Sequence, residues 1–107
     1  MLLKLLLALA LAASMTASAT AAKVEIKDYA FQKPSITIAA GSTVSWTNQD
    51  DDPHTVVADD KSFDSMGLGQ GDVWSHTFTK PGTYHYHCGV HPFMKGTIVV
   101  TAVTKHV

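Results

Sequence analysis

From Lys23 to Thr101 apolar residues recur at every second position in short runs, and no stretch sustains a helical period. Such a chain can bury its side chains only by laying strands face to face. Val24 and Ile26, Ile36 and Ile38, and Val44 and Trp46 each mark one face of a short strand, with Pro34 opening the second run and Gly41 in the turn before the third. Val56 and Val57 read as another extended segment. The stretch from Asp59 to Asp72 is polar, carries Gly67, Gly69 and Gly71, and reads as a long surface connection. Beyond it Trp74, His76 and Phe78 share a face, Lys80-Pro81-Gly82 makes a turn, Tyr84, Tyr86 and Cys88 share the next face, and Ile98 and Val100 belong to the last strand. The expected fold is all-β, an antiparallel β-sandwich of about seven to eight short strands.

The first residues follow another logic. Lys4 precedes an unbroken apolar run from Leu5 to Ala13, and Ala17-Ser18-Ala19 and Ala19-Thr20-Ala21 both place small residues as a signal peptidase requires. A membrane span needs about 20 apolar residues, whereas Ser14, Met15 and Thr16 interrupt this run. Residues 1–21 are therefore expected to be a cleaved secretory signal, with cleavage near Ala19 to Ala22, and residues 22–107 the domain. No cysteine lies near the cleavage region to take a lipid, so the expected product is exported, periplasmic, monomeric and without a membrane anchor.

In 107 residues there is room for one domain. Eight lysines, no arginine and nine acidic residues give a net charge of −1, which supplies no excess positive charge for nucleic acid. A domain this small commonly needs help from disulfides, a metal or association. The single cysteine, Cys88, excludes an internal disulfide. In an oxidising compartment a lone thiol must be buried, paired between chains or used in chemistry.

Cys88, His91 and Met94 recur at intervals of three in one short loop, bringing a thiolate, an imidazole and a thioether within reach of one point. His54, 34 residues before Cys88 and preceded by Pro53, can supply a fourth donor if its strand end adjoins the last hairpin. Structural zinc prefers four strong ligands. Two imidazoles, a thiolate and a weak thioether suit copper in both Cu(I) and Cu(II). Taken singly, His54 is also readable as a surface histidine, Met94 as a core filler, and Cys88 as an inert thiol or a nucleophile.

The stretch from Lys80 to Gly96, KPGTYHYHCGVHPFMKG, together with WTNQDDDPH from Trp46 to His54, resembles the cupredoxins, and its short ligand loop is most similar to their amicyanin branch. The resemblance implies a Greek-key β-sandwich and one-electron transfer, with His54, Cys88, His91 and Met94 holding one copper ion. It also implies that Asn48 ties the two ligand loops together, although Gly89, standing where Thr or Ser is common, removes any side-chain bond from Asn48 to that position. Thr55 also departs from the family pattern, standing where Asn is common.

Val90, Pro92 and Phe93, with Pro53 and with Met66 and Leu68 from the glycine-rich connection, could form an apolar patch around His91 for close docking. Asp50, Asp51 and Asp52, with Asp59, Asp60 and Asp64, read either as solvated loops or as a rim that steers a cationic redox partner of cytochrome or dehydrogenase type. His85 and His87 face away from Cys88 and read as solvated; His76 is expected to be partly buried with a hydrogen-bond partner. Two other functions stay open: a copper carrier that delivers its metal to another protein, and a small enzyme using Cys88 as nucleophile.

Overall fold

The computed structural model describes residues 18–103, and their alternating sequence forms eight strands: β1 (Ala21–Lys27), β2 (Ala30–Phe31), β3 (Ser35–Ala39), β4 (Ser42–Asn48), β5 (Val57–Ala58), β6 (Val73–Phe78), β7 (Gly82–His87) and β8 (Lys95–Thr101). They make two four-stranded sheets, ordered β2-β1-β4-β6 and β3-β8-β7-β5. β1 pairs parallel with β4 and β3 parallel with β8, while the other pairs are antiparallel. The expected signal segment falls mostly outside the described residues, as does His106. Ala21 opens β1, opposite Thr43.

The period-two faces turn inward as the sequence requires. Val24, Ile26, Val44 and Trp46 from one sheet meet Ile38, Tyr86, Ile98 and Val100 from the other in one core. Trp46 is its centre: the ring lies within 5.5 Å of both Trp74 and Tyr86, and its Nε1–H donates to the Tyr86 hydroxyl at 3.2 Å. Burial pushes that hydroxyl up to about 12, against the opposing effect of the Trp46 bond.

One expectation is corrected. The segment between Asp59 and Asp72 is not a surface connection throughout, because Phe63, Ser65 and Leu68 are buried in it. Its backbone pairs Asp64 with Val57 and Leu68 with His54. The Ser65 hydroxyl accepts from Val56 N at 2.7 Å. Glycines allow the turns, but the apolar residues between them pin the segment against the stretch that carries His54. His76 is half-buried as expected, yet its ring stacks on Trp74 at 5.6 Å and packs on Phe63 at 4.9 Å, where the sequence reading had expected a hydrogen bond. Burial lowers its pKa.

The strand pair that leads into the Cys88 loop depends on a missing side chain. Gly96 faces Tyr86 across the β7–β8 ladder, and a Cβ at Gly96 would sit 2.2 Å from the Tyr86 ring. Neither the paired backbone nor the buried ring can yield that distance. Gly96→Ala is therefore expected to destabilise the fold by about 1–3 kcal/mol, read as a lower urea midpoint at unchanged slope. An unchanged midpoint would show that the ring has room to move.

Candidate metal centre

β4 ends at Asn48, and the buried Asn48 side chain shapes the turn that follows. Its Nδ2 donates to the carbonyls of Asp52 and Leu68, each at 2.9 Å, and its Oδ1 accepts from Asp50 N at 3.0 Å. His54 then exchanges two backbone bonds with Leu68, at 3.1 and 2.8 Å, and is fully buried. Asn48 thus joins the His54 turn to the 59–72 segment. The resemblance had implied that it joins the two ligand loops, and that role falls elsewhere.

It falls to Thr55. The Thr55 hydroxyl accepts from Gly89 N at 2.7 Å, and Thr55 N–H points at the Cys88 sulfur at 3.4 Å. Both bonds continue the β5–β7 pairing, in which Val57 lies opposite His87, past the ends of the two strands. Gly89 gives the close approach, since a Cβ there would lie 3.1 Å from the Thr55 hydroxyl. The two departures from the family pattern are therefore a matched pair, which reading each position separately had missed.

Cys88 follows β7, and the loop after it closes on itself: Cys88 N–H donates to Met94 O at 3.1 Å and Met94 N–H to His91 O at 2.9 Å. This turn brings His91 back over Cys88 and buries Met94 below. Cys88 Sγ lies 3.8 Å from Nδ1 of His54 and 3.8 Å from Nδ1 of His91, and the two nitrogens are 3.1 Å apart. The centre of that triangle is about 2.1 Å from each corner, close to a metal–nitrogen bond of about 2.0–2.1 Å and a little under a metal–sulfur bond of about 2.3 Å.

Chemistry agrees with the spacing. Three electron-rich atoms facing one another in the interior repel unless a proton or a cation lies among them. Burial pushes the Cys88 thiol up, but the N–H groups of Thr55, Val90 and His91, with the His54 ring, outweigh it and bring it down to about 6. The centre is prepared for an anionic sulfur and two neutral imidazoles, a donor set that fits copper.

Outside the triangle the predicted residues divide. Val90, Pro92, Phe93, Pro53 and Met66 are exposed, and the Phe93 ring stands 6.0 Å from that of His91. Leu68 is only 5% exposed and cannot belong to a docking patch; it is backbone support for His54. Asp51 and Asp52 are exposed, whereas Asp50 turns inward to His54 Nε2 at 2.8 Å, so Asp50 is not part of a steering rim. Tyr29, which the sequence reading did not single out, stands edge-on to both imidazoles, 5.2 Å from His54 and 5.1 Å from His91. Its signal was weak: an aromatic beside an aspartate in a short turn. His85 bonds to Thr97 and His87 to Asp59, on the face turned away from the centre.

A β-sandwich with a buried thiolate and two imidazoles gathered at one end defines a class of metal-binding domain. The comparisons place it further: residues 1–100 match the Cupredoxin-like domain, and the chain belongs to that family. It is 41% identical over 83 residues to amicyanin-alpha of Methylorubrum extorquens, covering 73% of this chain and 70% of that one. Amicyanin of Paracoccus denitrificans is 35% identical over 82 residues, 72% of this chain and 63% of the relative, so the chain spans less than two thirds of that protein. A solved amicyanin mutant in its Cu(I) form superposes with a TM-score of 0.71 at 35% identity, over 76% of this chain and 82% of that one.

Thr55→Val keeps the shape and the N–H toward sulfur but removes the acceptor for Gly89. We expect it to lower the stability of the copper-loaded protein by about 0.5–1.5 kcal/mol, with Thr55→Ser restoring most of the loss in thermal unfolding. Equal stability of Thr55→Val and the parent would mean the hydroxyl does not hold the two loops together.

Proposed function

We propose that this chain is an exported, periplasmic, mononuclear blue copper protein that passes single electrons between redox partner proteins and carries out no chemical turnover itself. His54, Cys88 and His91 would hold the copper as strong donors, and Met94 would supply a weak thioether donor. The observation that carries this reading is the donor triangle of 3.1, 3.8 and 3.8 Å, contributed by the β4–β5 and β7–β8 loops. When bound there, copper supplies a one-electron couple between Cu(I) and Cu(II). The protein's part is to hold the donors in one arrangement. Cys88 and His54 are fully buried, so water is kept from two of the three donors.

The same burial disfavours the copper carrier, because handing over the ion would require buried donors to open. Among the described residues no helix is long and apolar enough to cross a membrane. Spectroscopy tests the reading directly. The Cu(II) protein should show an intense thiolate-to-copper charge-transfer band; Cys88→Ser should abolish it, and Met94→Leu should keep the band with a changed reduction potential. A colourless Cu(II) complex of the intact chain would overturn the reading.

His91 is the only half-buried member of the triangle, and Val90 at 59% and Phe93 at 69% exposure flank it. An apolar collar of this kind lets a partner's surface come close and excludes water from the contact. Asp51 and Asp52, exposed in the turn that leads into His54, would speed the approach of a basic cytochrome or dehydrogenase. Stopped-flow oxidation by a basic cytochrome should therefore slow with Phe93→Asp while the charge-transfer band persists. The rate should fall as salt shortens the Debye length below about 8 Å, and Asp51→Lys should flatten that dependence. Movement of the copper itself to the partner during mixing would favour the carrier.

A further inference from the structure

Asp50 accepts three bonds with one carboxylate that is 11% exposed. Asp28 N–H reaches Oδ1 at 2.8 Å, Tyr29 N–H reaches Oδ2 at 3.0 Å, and His54 Nε2 lies 2.8 Å from Oδ2. A carboxylate only accepts, so the hydrogen on this last contact belongs to His54 Nε2. In the neutral ring that leaves Nδ1 as a lone pair, and Nδ1 is the atom facing Cys88 Sγ and His91. Asp50 therefore selects the tautomer in which the buried imidazole can donate to a metal at all.

The other two bonds explain an otherwise costly turn. Asp28 and Tyr29 are consecutive residues in the left-handed region, with φ of 52° and 55°, where side chains other than glycine are strained. Their N–H groups converge on the Asp50 carboxylate and so offset that strain. The turn in turn carries the Tyr29 ring to the edges of both imidazoles, and the Tyr29 hydroxyl bonds to the Asp52 carboxylate.

We propose that Asp50 is a positioning residue for the copper centre: its carboxylate holds His54 as the Nε2–H tautomer and locks that ring to the Asp28–Tyr29 turn. The inference rests on the copper reading above. A carboxylate behind a ligating imidazole makes the ring a stronger donor, and such an outer partner typically governs metal affinity 10–100-fold. A stronger donor with a negative charge behind it favours Cu(II) over Cu(I), so Asp50 holds the reduction potential down.

Asp50→Asn in the copper-loaded protein removes the charge and leaves a single carbonyl oxygen to accept. Cu(II) affinity is expected to fall about 10–100-fold, with Cu(I) affinity changed less. Each tenfold difference between the two losses raises the potential by about 59 mV. Asp28→Asn is the charge control, because it deletes an acid on the same turn while asparagine tolerates the left-handed conformation. A second measurement needs no variant: nitrogen NMR of the Cu(I) protein should show His54 protonated at Nε2, with a slowly exchanging proton.

A Cu(II) protein with no thiolate band overturns the copper reading and this proposal with it. A parent with the band, but with the potential of Asp50→Asn no higher than that of Asp28→Asn, overturns the proposal alone. A His54 ring found protonated at Nδ1 overturns both the copper reading and the proposal, because that nitrogen could not then hold the metal.

Discussion

The centre depends on the continuation of the β5–β7 pairing past its end: Gly89 N–H on the Thr55 hydroxyl at 2.7 Å and Thr55 N–H on the Cys88 sulfur at 3.4 Å. His54 and Cys88 are 34 residues apart, but one lies just before β5 and the other just after β7, neighbours in one sheet. Strand pairing brings β5 beside β7 but does not by itself set two loop ends within a bond's reach of the same point. Residues next to the two ligands do that, through backbone groups that cannot rotate away. Because Thr55 is the immediate neighbour of His54, and Gly89 of Cys88, any sliding of one loop breaks these bonds before it widens the donor triangle.

Two layers of support surround that pairing. Below the triangle, the 59–72 segment pairs with His54 through Leu68 and fastens Val56 through Ser65. Behind it, the Asp50 carboxylate reaches His54 from the side away from the sulfur. The His54 ring is therefore held at Nε2 and along its backbone, leaving Nδ1 to the centre, while His91 sits in a loop closed by its own carbonyl and is partly exposed. On the electron-transfer reading proposed above, an electron from a partner would meet least protein at His91, with Cys88 and His54 buried behind it. That division agrees with a site that is rigid within and accessible at one edge.

The sandwich was legible because each strand face repeats with period two, and burial at Val44, Trp46, Tyr86, Ile98 and Val100 follows that repeat. The donor triangle was legible because Cys88 and His91 share a loop and His54 lies just before β5, the strand that pairs with β7. The supporting contacts were not, for reasons that can be named. Asp50 stands in a run of three aspartates, and charge alone does not distinguish the one whose carboxylate turns inward. Leu68 sits between two glycines and Phe63 among polar residues, so that a segment packed by two apolar residues looked like a solvated connection. Tyr29 acquires its place only when the β1–β2 turn adopts two left-handed residues, a conformation that neither Asp28 nor Tyr29 prefers by itself.

The same reasoning explains why Gly89 and Gly96, close neighbours in sequence, are constrained by unrelated neighbours. At Gly96 a side chain would enter the ring of Tyr86, whose other edge meets Trp46, so that position belongs to the core and its loss would be felt as instability. At Gly89 the nearest atom is the Thr55 hydroxyl that also receives the Gly89 N–H, so that position belongs to the centre. A side chain at Gly89 would press on the bond that aligns the two loops while leaving the core packing intact. The ladder from Tyr86 to Cys88 therefore joins two requirements within three residues: a large ring that fills the sandwich, and a thiolate presented at its end.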